Sequence, residues 1–314
     1  VSSSKLASGT HRIFGTATHP QARTRLAAMV RPLEDTTNHL APRRTKFAPA
    51  RKPAPLQDLD AIATKPYVPE RKKHAERPTA KMNRSLQLLF VAWLVAPYAI
   101  SSLVDPVGCA AAWRWNLNTL KHLHAYQSSP LFLAACAMLA VERVVYTVVW
   151  CYPKAWLRFT RGVLRDTYFY GAGDNVVDVI YKFFKINKCF QGGGFALLYF
   201  LAAPAIRPGE ISLFQWVVGA NLVALGQALN VGIYRSIGKV GVYYGYKYGM
   251  SVPWCTGFPF NVCCAHPQYL GSALTAYGFV LLAATDAHVL RGWGGLAHVQ
   301  ALQYAYMSFV EHNL

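Results

Sequence analysis

The residues best suited to chemistry lie in one block, from Gly226 to Gly271, between two hydrophobic stretches. Glycine allows close backbone approach and positive φ, while tyrosine offers an aromatic face with a polar end. Tyr243, Tyr244 and Trp254 are suited to face a methylated ammonium or a sulfonium through cation–π attraction. The structural alternative is a small-residue packing seam between helices, with an aromatic belt at the membrane surface. The block's glycines and tyrosines are Gly232, Gly238, Gly241, Gly245, Gly249, Gly257, Tyr234, Tyr243, Tyr244, Tyr246 and Tyr248.

The elements that must position this block are hydrophobic and long. The chain is 53% hydrophobic and only 15% charged, whereas soluble domains carry about 25% charged residues. Leu86–Val104 is free of charge over a length that crosses a bilayer once, and Pro130–Tyr152 is a second predicted span, interrupted by Glu142-Arg143. The sequence therefore predicts an all-α integral membrane protein, a compact bundle of about four to six transmembrane helices with an extended basic N-terminal tail.

Two helical hairpins are predicted on either side of the glycine and tyrosine block. Asn175–Phe190 is predicted as a mixed amphipathic helix that leads into the third span, and the basic segment that bears Lys154, Arg158, Arg161 and Arg165 is predicted as a loop. Glu142 and Arg143 lie inside a span, where charges are costly, and mutual neutralisation is the favoured interpretation. The predicted hairpin helices are Phe195–Ile206 with Ile211–Ile233, and Leu270–Leu290 with Leu296–Val310.

Residues 1–84 form a separate predicted domain, ahead of a membrane domain at 85–314. They hold 17 of the 32 Lys and Arg residues, 6 of the 14 acidic residues and 9 of the 18 prolines. A chain of this composition cannot bury enough apolar area to fold alone. It has almost no aromatic residues to stack on bases, so anionic lipid headgroups or acidic protein faces are the expected partners and nucleic acid is not.

The most N-terminal stretch gives an expectation about location. Val1–Arg31 contains five basic residues and no acidic residue, which resembles an organelle-targeting remnant or a processed basic terminus. The mitochondrial inner membrane is the favoured compartment, with the endoplasmic reticulum and the plastid as alternatives. Seven cysteines show neither a C-x-x-C pair nor metal-ligand spacing, so no metal site is expected.

The same block resembles the phospholipid N-methyltransferases that convert phosphatidylethanolamine derivatives to phosphatidylcholine, especially the plant-type members. The resemblance extends more weakly to Glu311 and back to Tyr146–Trp156. The residues that carry it are Gly226-Gln227, Leu229-Asn230, Tyr234, Gly238, Gly241, Tyr243-Tyr244-Gly245, Gly249, Pro253-Trp254, Phe258-Pro259-Phe260, Pro267-Gln268-Tyr269 and Gly271-Ser272.

That resemblance implies S-adenosylmethionine as the methyl donor and a membrane phospholipid as the acceptor. It implies catalytic roles for His266 and Glu311. It places substrate-binding roles on Tyr244, Trp254 and Asn261. Fungal and animal relatives carry a Glu-Glu pair where this chain has Glu311-His312, and plant-type members also depart from that pair. The cofactor contacts that the resemblance implies are Gly241, Tyr243, Gly245, Pro267, Tyr269, Gly271 and Glu311.

Two functions from different classes follow. The first is N-methylation of phosphatidylethanolamine or its monomethyl and dimethyl forms. The second is a non-catalytic accessory subunit of a mitochondrial, respiratory-chain-type membrane complex, whose tail at 1–84 wraps partner subunits. An open polar cavity that joins His266 to Glu311 favours the enzyme, and a filled cavity favours the subunit.

Overall fold

A computed structural model describes residues 80–314 except 166, 171–173, 203–207 and 264–265. Over those residues the chain is helical and contains no β-strand, which confirms the all-α prediction. The predicted tail lies outside the described residues apart from its last five. The helices, numbered in chain order, are α1 Arg84–Val104, α2 Pro106–Lys121, α3 Leu123–Tyr126, α4 Pro130–Cys151, α5 Pro153–Val163, α6 Val176–Ala202, α7 Leu213–Val242, α8 Pro267–Leu282, α9 Asp286–Leu290 and α10 Trp293–Asn313.

Local sequence explains where the main helices begin. Asn83 precedes α1 and its side chain accepts from the backbone N–H of Leu86 at 3.1 Å. Ser129 accepts similarly at the start of α4, where proline occupies the first turn and needs no backbone donor. Ser212 and Gln215 form a reciprocal capping box at α7. Each start follows from a short polar residue just before an apolar run.

Three of the described helices are long and apolar enough to cross a membrane: α1, α4 and α7 with the turn that follows it. Many apolar side chains on α1 are exposed, including Leu88, Leu103 and Val104. Such a surface is stable in lipid rather than in water. The chain is an integral membrane protein, and the four to six predicted spans stay a prediction beyond these three.

The bundle is organised around α7. Helix α8 makes its most extensive contacts with α7, α1 also packs against α7, and α4 packs against α6 and α10. The α7–α8 crossing is lined by two facing glycine pairs, Gly219 with Gly278 and Gly226 with Gly271. The glycine block also predicted a small-residue packing seam as the alternative to a ligand site. At this crossing the glycines form such a seam, because helices without side chains at the contact approach closely.

The C-terminal end of α7 departs from regular helix. Gly238 has φ 64° within the helix, a conformation that favours glycine. Beyond the helix Tyr244 has φ 58°, the left-handed region that non-glycine residues seldom adopt. These positions turn the chain back toward the bundle and leave Gly245–Tyr248 as a single 3₁₀ turn.

Several predicted boundaries differ from the structure. Asn175–Phe190 and the stretch after it form one continuous helix, α6, up to Ala202. The basic segment after α4, predicted as a loop, begins with α5, which buries Trp156, Leu157 and Thr160. Its apolar positions follow helical spacing, and the charged residues between them obscured that period. Helix α8 ends at Leu282 instead of continuing to Leu290.

Candidate active site

A cavity of about 1180 Å³ opens where the ends of α4, α7, α8 and α10 meet. Its volume slightly exceeds that of most small-molecule sites, which run from about 300 to 1,000 Å³. It is bordered by both polar and aromatic side chains, and it joins His266 to Glu311. Of the predicted site residues it includes Gly241, Tyr244, Trp254, His266, Pro267, Tyr269 and Glu311.

The pair at the centre of this site comes from two helix ends. His266 is the residue before α8, and Glu311 lies in the last turn of α10. Nδ1 of His266 is 3.3 Å from Oε2 of Glu311. Because a carboxylate only accepts, this contact assigns the Nδ1 proton to histidine and leaves Nε2 as its basic atom. The side chains are 17% and 11% exposed, so both are reachable from the cavity.

Two phenols bind the other oxygen of the same carboxylate. The hydroxyl of Tyr244 donates to Oε1 of Glu311 at 2.6 Å, and that of Tyr269 donates to the same atom. The two hydroxyl oxygens are 3.2 Å apart. The ring of Tyr269 stacks on His266 on one side and on Tyr304 on the other. Glu311 is therefore held in one orientation by three side chains.

The left-handed backbone of Tyr244 is part of this arrangement. A tyrosine in that region carries a steric cost, and such residues cluster at functional sites. Its ring is buried and meets Tyr146 and Trp150 edge to face at 5.7 and 5.2 Å between centroids. The surrounding rings hold the phenol against Glu311 despite the strained backbone.

Aromatic faces line the rest of the cavity, and one of them already holds a cation. Tyr246 and Trp254 pack at 5.6 Å between ring centroids. Nζ of Lys247 lies 3.4 Å from the centroid of Trp150 and donates to the carbonyl oxygen of that residue at 3.0 Å. Sequence reasoning missed Lys247 and Trp150. The available signal was one lysine inside a run of tyrosines.

Three residues implied as cofactor contacts do not border this cavity. Tyr243 lies on a second cavity, where its hydroxyl is 2.5 Å from that of Tyr234. Gly245 is packed against Val240 and Val177, and a Cβ there would meet the Val240 side chain at 2.4 Å. Gly271 belongs to the α7–α8 crossing.

Asn261, implied as a substrate contact, lies in the loop between α7 and α8, outside both cavities. Its backbone oxygen accepts from Asn83 at 2.9 Å, which ties the loop to the start of α1. Its buried side-chain oxygen meets no protein donor among the described residues. Its position therefore favours a structural role for this loop.

The second cavity has a volume of about 790 Å³ and shares the side chains of Tyr146, Gln268 and Tyr269 with the first. Glu142 and Arg143 are on its wall and pair at 2.9 Å, as the sequence analysis favoured. In the described part of the chain, no group of three His, Cys, Asp or Glu side chains is arranged to hold a metal ion.

Comparison with known proteins identifies the segment that contains most of this site. A family model described as phospholipid methyltransferase matches residues 214–314. Phosphatidyl-N-methylethanolamine N-methyltransferase of Arabidopsis thaliana is 37% identical over 92 residues, 29% of this chain and 49% of that protein. The enzyme of the same name from Emericella nidulans is 36% identical over 86 residues, 27% of this chain and 42% of that protein.

The chain thus spans about half or less of the length of these curated relatives. No solved structure matches it significantly. The match contains His266, Tyr269 and Glu311 and does not reach back to Tyr146–Trp156. The family resemblance predicted from the Gly226–Gly271 block is confirmed by this match: residues 214–314 are similar to the phospholipid methyltransferases.

Proposed function

We propose that the protein is an S-adenosylmethionine-dependent methyltransferase that acts on the amine of phosphatidylethanolamine or its monomethyl and dimethyl forms. The observation that carries this proposal is the convergence of His266, Tyr244 and Tyr269 on Glu311 beside an open cavity. Tyr244 is buried and the other three side chains are only partly exposed, and a cluster of such polar groups serves chemistry more readily than packing. The family segment supports the reaction class.

The residues present fit the methyl donor that this family implies. The cavity exceeds the volume that a nucleoside-sized ligand needs, and Glu311 provides a negative charge for a cationic or amino group. Trp254 and Tyr246 provide aromatic faces, each worth about 0.5–2 kcal/mol toward a cation. When bound, the donor supplies an electrophilic methyl group on a positively charged sulfur.

The chain's own residues align the acceptor and manage its proton. An amine attacks only after losing a proton, so a base within reach assists the reaction. Nε2 of His266 is suited to accept that proton, because Nδ1 is engaged with Glu311. Glu311 then stabilises the imidazolium that forms, and the two phenols keep the carboxylate oriented. Most of the remaining acceleration comes from alignment and exclusion of water.

The test is methyl transfer by the purified full chain in lipid nanodiscs. Labelled S-adenosylmethionine and phosphatidylmonomethylethanolamine should yield labelled lipid with the wild type. Glu311→Gln should reduce the rate at least about 100-fold, as loss of an acid–base partner does. Glu210→Gln is the matched control, since Glu210 is exposed and borders neither cavity. Absence of turnover by the wild type would end the proposal.

The case for an accessory subunit and the case for a mitochondrial location are both drawn from residues 1–84. The open cavity between His266 and Glu311 supports the enzyme over the accessory subunit. We retain a mitochondrial location as a proposal supported only by the basic, acid-free composition of Val1–Arg31. Imaging of the tagged full chain against mitochondrial and endoplasmic reticulum markers tests it, and a reticular pattern would refute it.

A further inference from the structure

The second cavity contains a charge imbalance inside a membrane protein. Three cationic side chains border it, Arg143, Lys185 and Lys188, against one carboxylate, Glu142, among the described lining residues. Glu142 and Arg143 belong to α4, one of the three candidate spans. Unbalanced charge inside a bilayer is costly, and such residues usually face a functional site. The cavity therefore has excess positive charge to be neutralised.

The geometry of the cluster fixes where that charge lies. Glu142 is fully buried, and its two oxygens face Arg143 Nη2 and Lys188 Nζ, each at 2.9 Å. One carboxylate thus serves two cations. The Lys188 side chain is 52% exposed, in contrast to the 5% of Arg143. Of the two cations that pair with Glu142, Lys188 is therefore the more accessible to a ligand in the cavity.

Buried donors without partners surround the same place. Nε and Nη1 of Arg143 are buried, and neither has a hydrogen-bond partner among the described residues. The same holds for Nε2 of Gln191 and Nε2 of Gln300, whose residues are 8% and 2% exposed. Buried polar groups are normally satisfied, so these four N–H groups suit a ligand with several acceptor atoms. Two buried oxygens on the same wall, Gln300 Oε1 and Asn230 Oδ1, also have no partner among the described residues and suit a donor on the same ligand.

The other walls of the cavity are apolar and aromatic. Phe195, Phe279 and Trp293 border it, and Phe200 at its edge is 68% exposed. A ligand that fits both the cationic cluster and the apolar wall has an anionic group with several acceptor oxygens attached to a hydrophobic chain. A phosphodiester provides one negative charge and its non-bridging oxygens suit an arginine and a lysine.

We propose that this cavity holds the phosphodiester of a membrane phospholipid, with Lys188 and Arg143 as its ligands and Gln191 and Gln300 as further donors. The inference rests on the proposed function and adds the acceptor's anchoring site to it. The shared wall at Tyr269 places the headgroup amine beside the cavity that contains His266 and Glu311. These anchors lie outside residues 214–314 except for Gln300.

The test is equilibrium binding to the purified full chain in detergent, which requires no turnover. The probe is dihexanoyl phosphatidylmonomethylethanolamine, compared with dihexanoylglycerol, which lacks the phosphate and the amine. Lys188→Gln leaves a balanced Glu142–Arg143 pair, so folding should persist. It should weaken phospholipid binding about tenfold, the effect of one charged hydrogen bond, and leave dihexanoylglycerol binding unchanged. Lys121→Gln, at an exposed lysine outside both cavities, should change neither.

A second variant has the opposite expected sign. Glu142→Gln removes the competing carboxylate and should tighten phospholipid binding. Unchanged phospholipid affinity in both variants would overturn the inference. So would equal binding of free phosphorylethanolamine and the lipid, which would indicate a soluble phosphate ester, or an equal loss of S-adenosylmethionine affinity in Lys188→Gln, which would assign the charges to the donor.

Failure of this inference is separable from failure of the proposed function. Turnover by Lys188→Gln with a normal KM for the lipid would defeat the anchoring site and leave the methyltransferase intact. An inactive wild type that still binds phospholipid through Lys188 would defeat the proposed function alone.

Discussion

Gly226 and Gly271 face each other across the α7–α8 crossing so closely that neither position has room for a side chain. A Cβ on Gly226 would lie 2.3 Å from the Gly271 carbonyl oxygen, and one on Gly271 would lie 2.6 Å from that of Gly226. Because both neighbours are backbone, the clash cannot be relieved by a rotamer change. This crossing brings the start of α8, with His266 and Tyr269, against α7.

We expect Gly271→Ala to lower the free energy of unfolding by about 1–3 kcal/mol through overpacking. Thermal unfolding of the purified protein in detergent measures the change. Gly162→Ala is the matched control, because no atom lies within 4 Å of a Cβ at that position on α5. There alanine should be neutral or stabilising by up to about 1 kcal/mol. Equal destabilisation in both variants would contradict the packing explanation.

Tyr269→Phe should reduce the rate of methyl transfer roughly 10- to 100-fold, an effect typical of lost alignment. The change keeps the ring that stacks on His266 and Tyr304 and removes only the hydroxyl that donates to Glu311. Rates at saturating donor and lipid give kcat directly. Tyr277→Phe, on the same helix and outside both cavities, should retain the wild-type rate. Equal rates for the two variants would show that the Tyr269 hydroxyl does not contribute to methyl transfer.

Asp105→Ala should destabilise the fold by about 0.5–2 kcal/mol per lost helix cap. Its two carboxylate oxygens accept from Phe214 N and Gly108 N, each at 2.9 Å, and so cap α7 and α2 together. Asn83→Ala removes one cap and should cost less. Denaturant unfolding of the two variants side by side tests this order, and a larger loss for Asn83→Ala would contradict it.

The contribution of Asp105 to the free energy of unfolding should also depend on pH. The backbone N–H of Phe214, followed by that of Gly108, lowers the pKa of Asp105 below its usual 3.8. A depressed carboxyl pKa stabilises the fold above the unfolded value, and this stabilisation is lost as pH falls through the folded value. The stability difference between wild type and Asp105→Ala should therefore narrow below about pH 4. A difference that stays constant into acid would show that charge plays no part.

His288 should make the protein less stable in mild acid. Burial lowers its pKa below the usual 6.5, while Nδ1 contacts the Thr285 hydroxyl at 2.8 Å and the ring stacks on Tyr199. The unfolded chain then binds the proton more readily, so stability falls as pH drops below about 6.5. The Tm at pH 5.5 should lie below that at pH 7.5, and His288→Gln should reduce the gap. His124→Gln, at an exposed histidine, should leave the gap unchanged.

The central pair of the site could be predicted from sequence because its neighbours form a recognisable motif. His266 and Tyr269 fall within one short turn, and Glu311 follows the last hydrophobic stretch, so the family resemblance carried all three. The placement of Tyr243 could not be predicted in the same way. Successive tyrosines outside a regular helix point in directions set by individual φ values, and Tyr244 adopts the left-handed one.

The second cavity could not be predicted from the sequence, for a different reason. Glu142 and Arg143 are adjacent and suggested a pair, but Lys188 is 46 residues away and joins them only because α6 packs on α4. The spacing of apolar residues could not predict which residues of α6 face α4, because α6 contacts neighbouring helices on several sides. The helix class and the main spans were accessible because long uncharged stretches have few alternatives.

The bond from Phe214 to Asp105 bears on how the protein can be divided. The family match begins at Phe214, whose backbone N–H donates to the Asp105 carboxylate. The start of the matched segment therefore separates α7 from the residue that caps it. A fragment starting there would lose the first hydrogen bond of its longest helix, together with Tyr146 and Trp150 from the cavity wall. The segment that the family model matches is therefore smaller than the unit that folds, and α1 to α6 contribute to the same helical bundle and to the wall of the cavity.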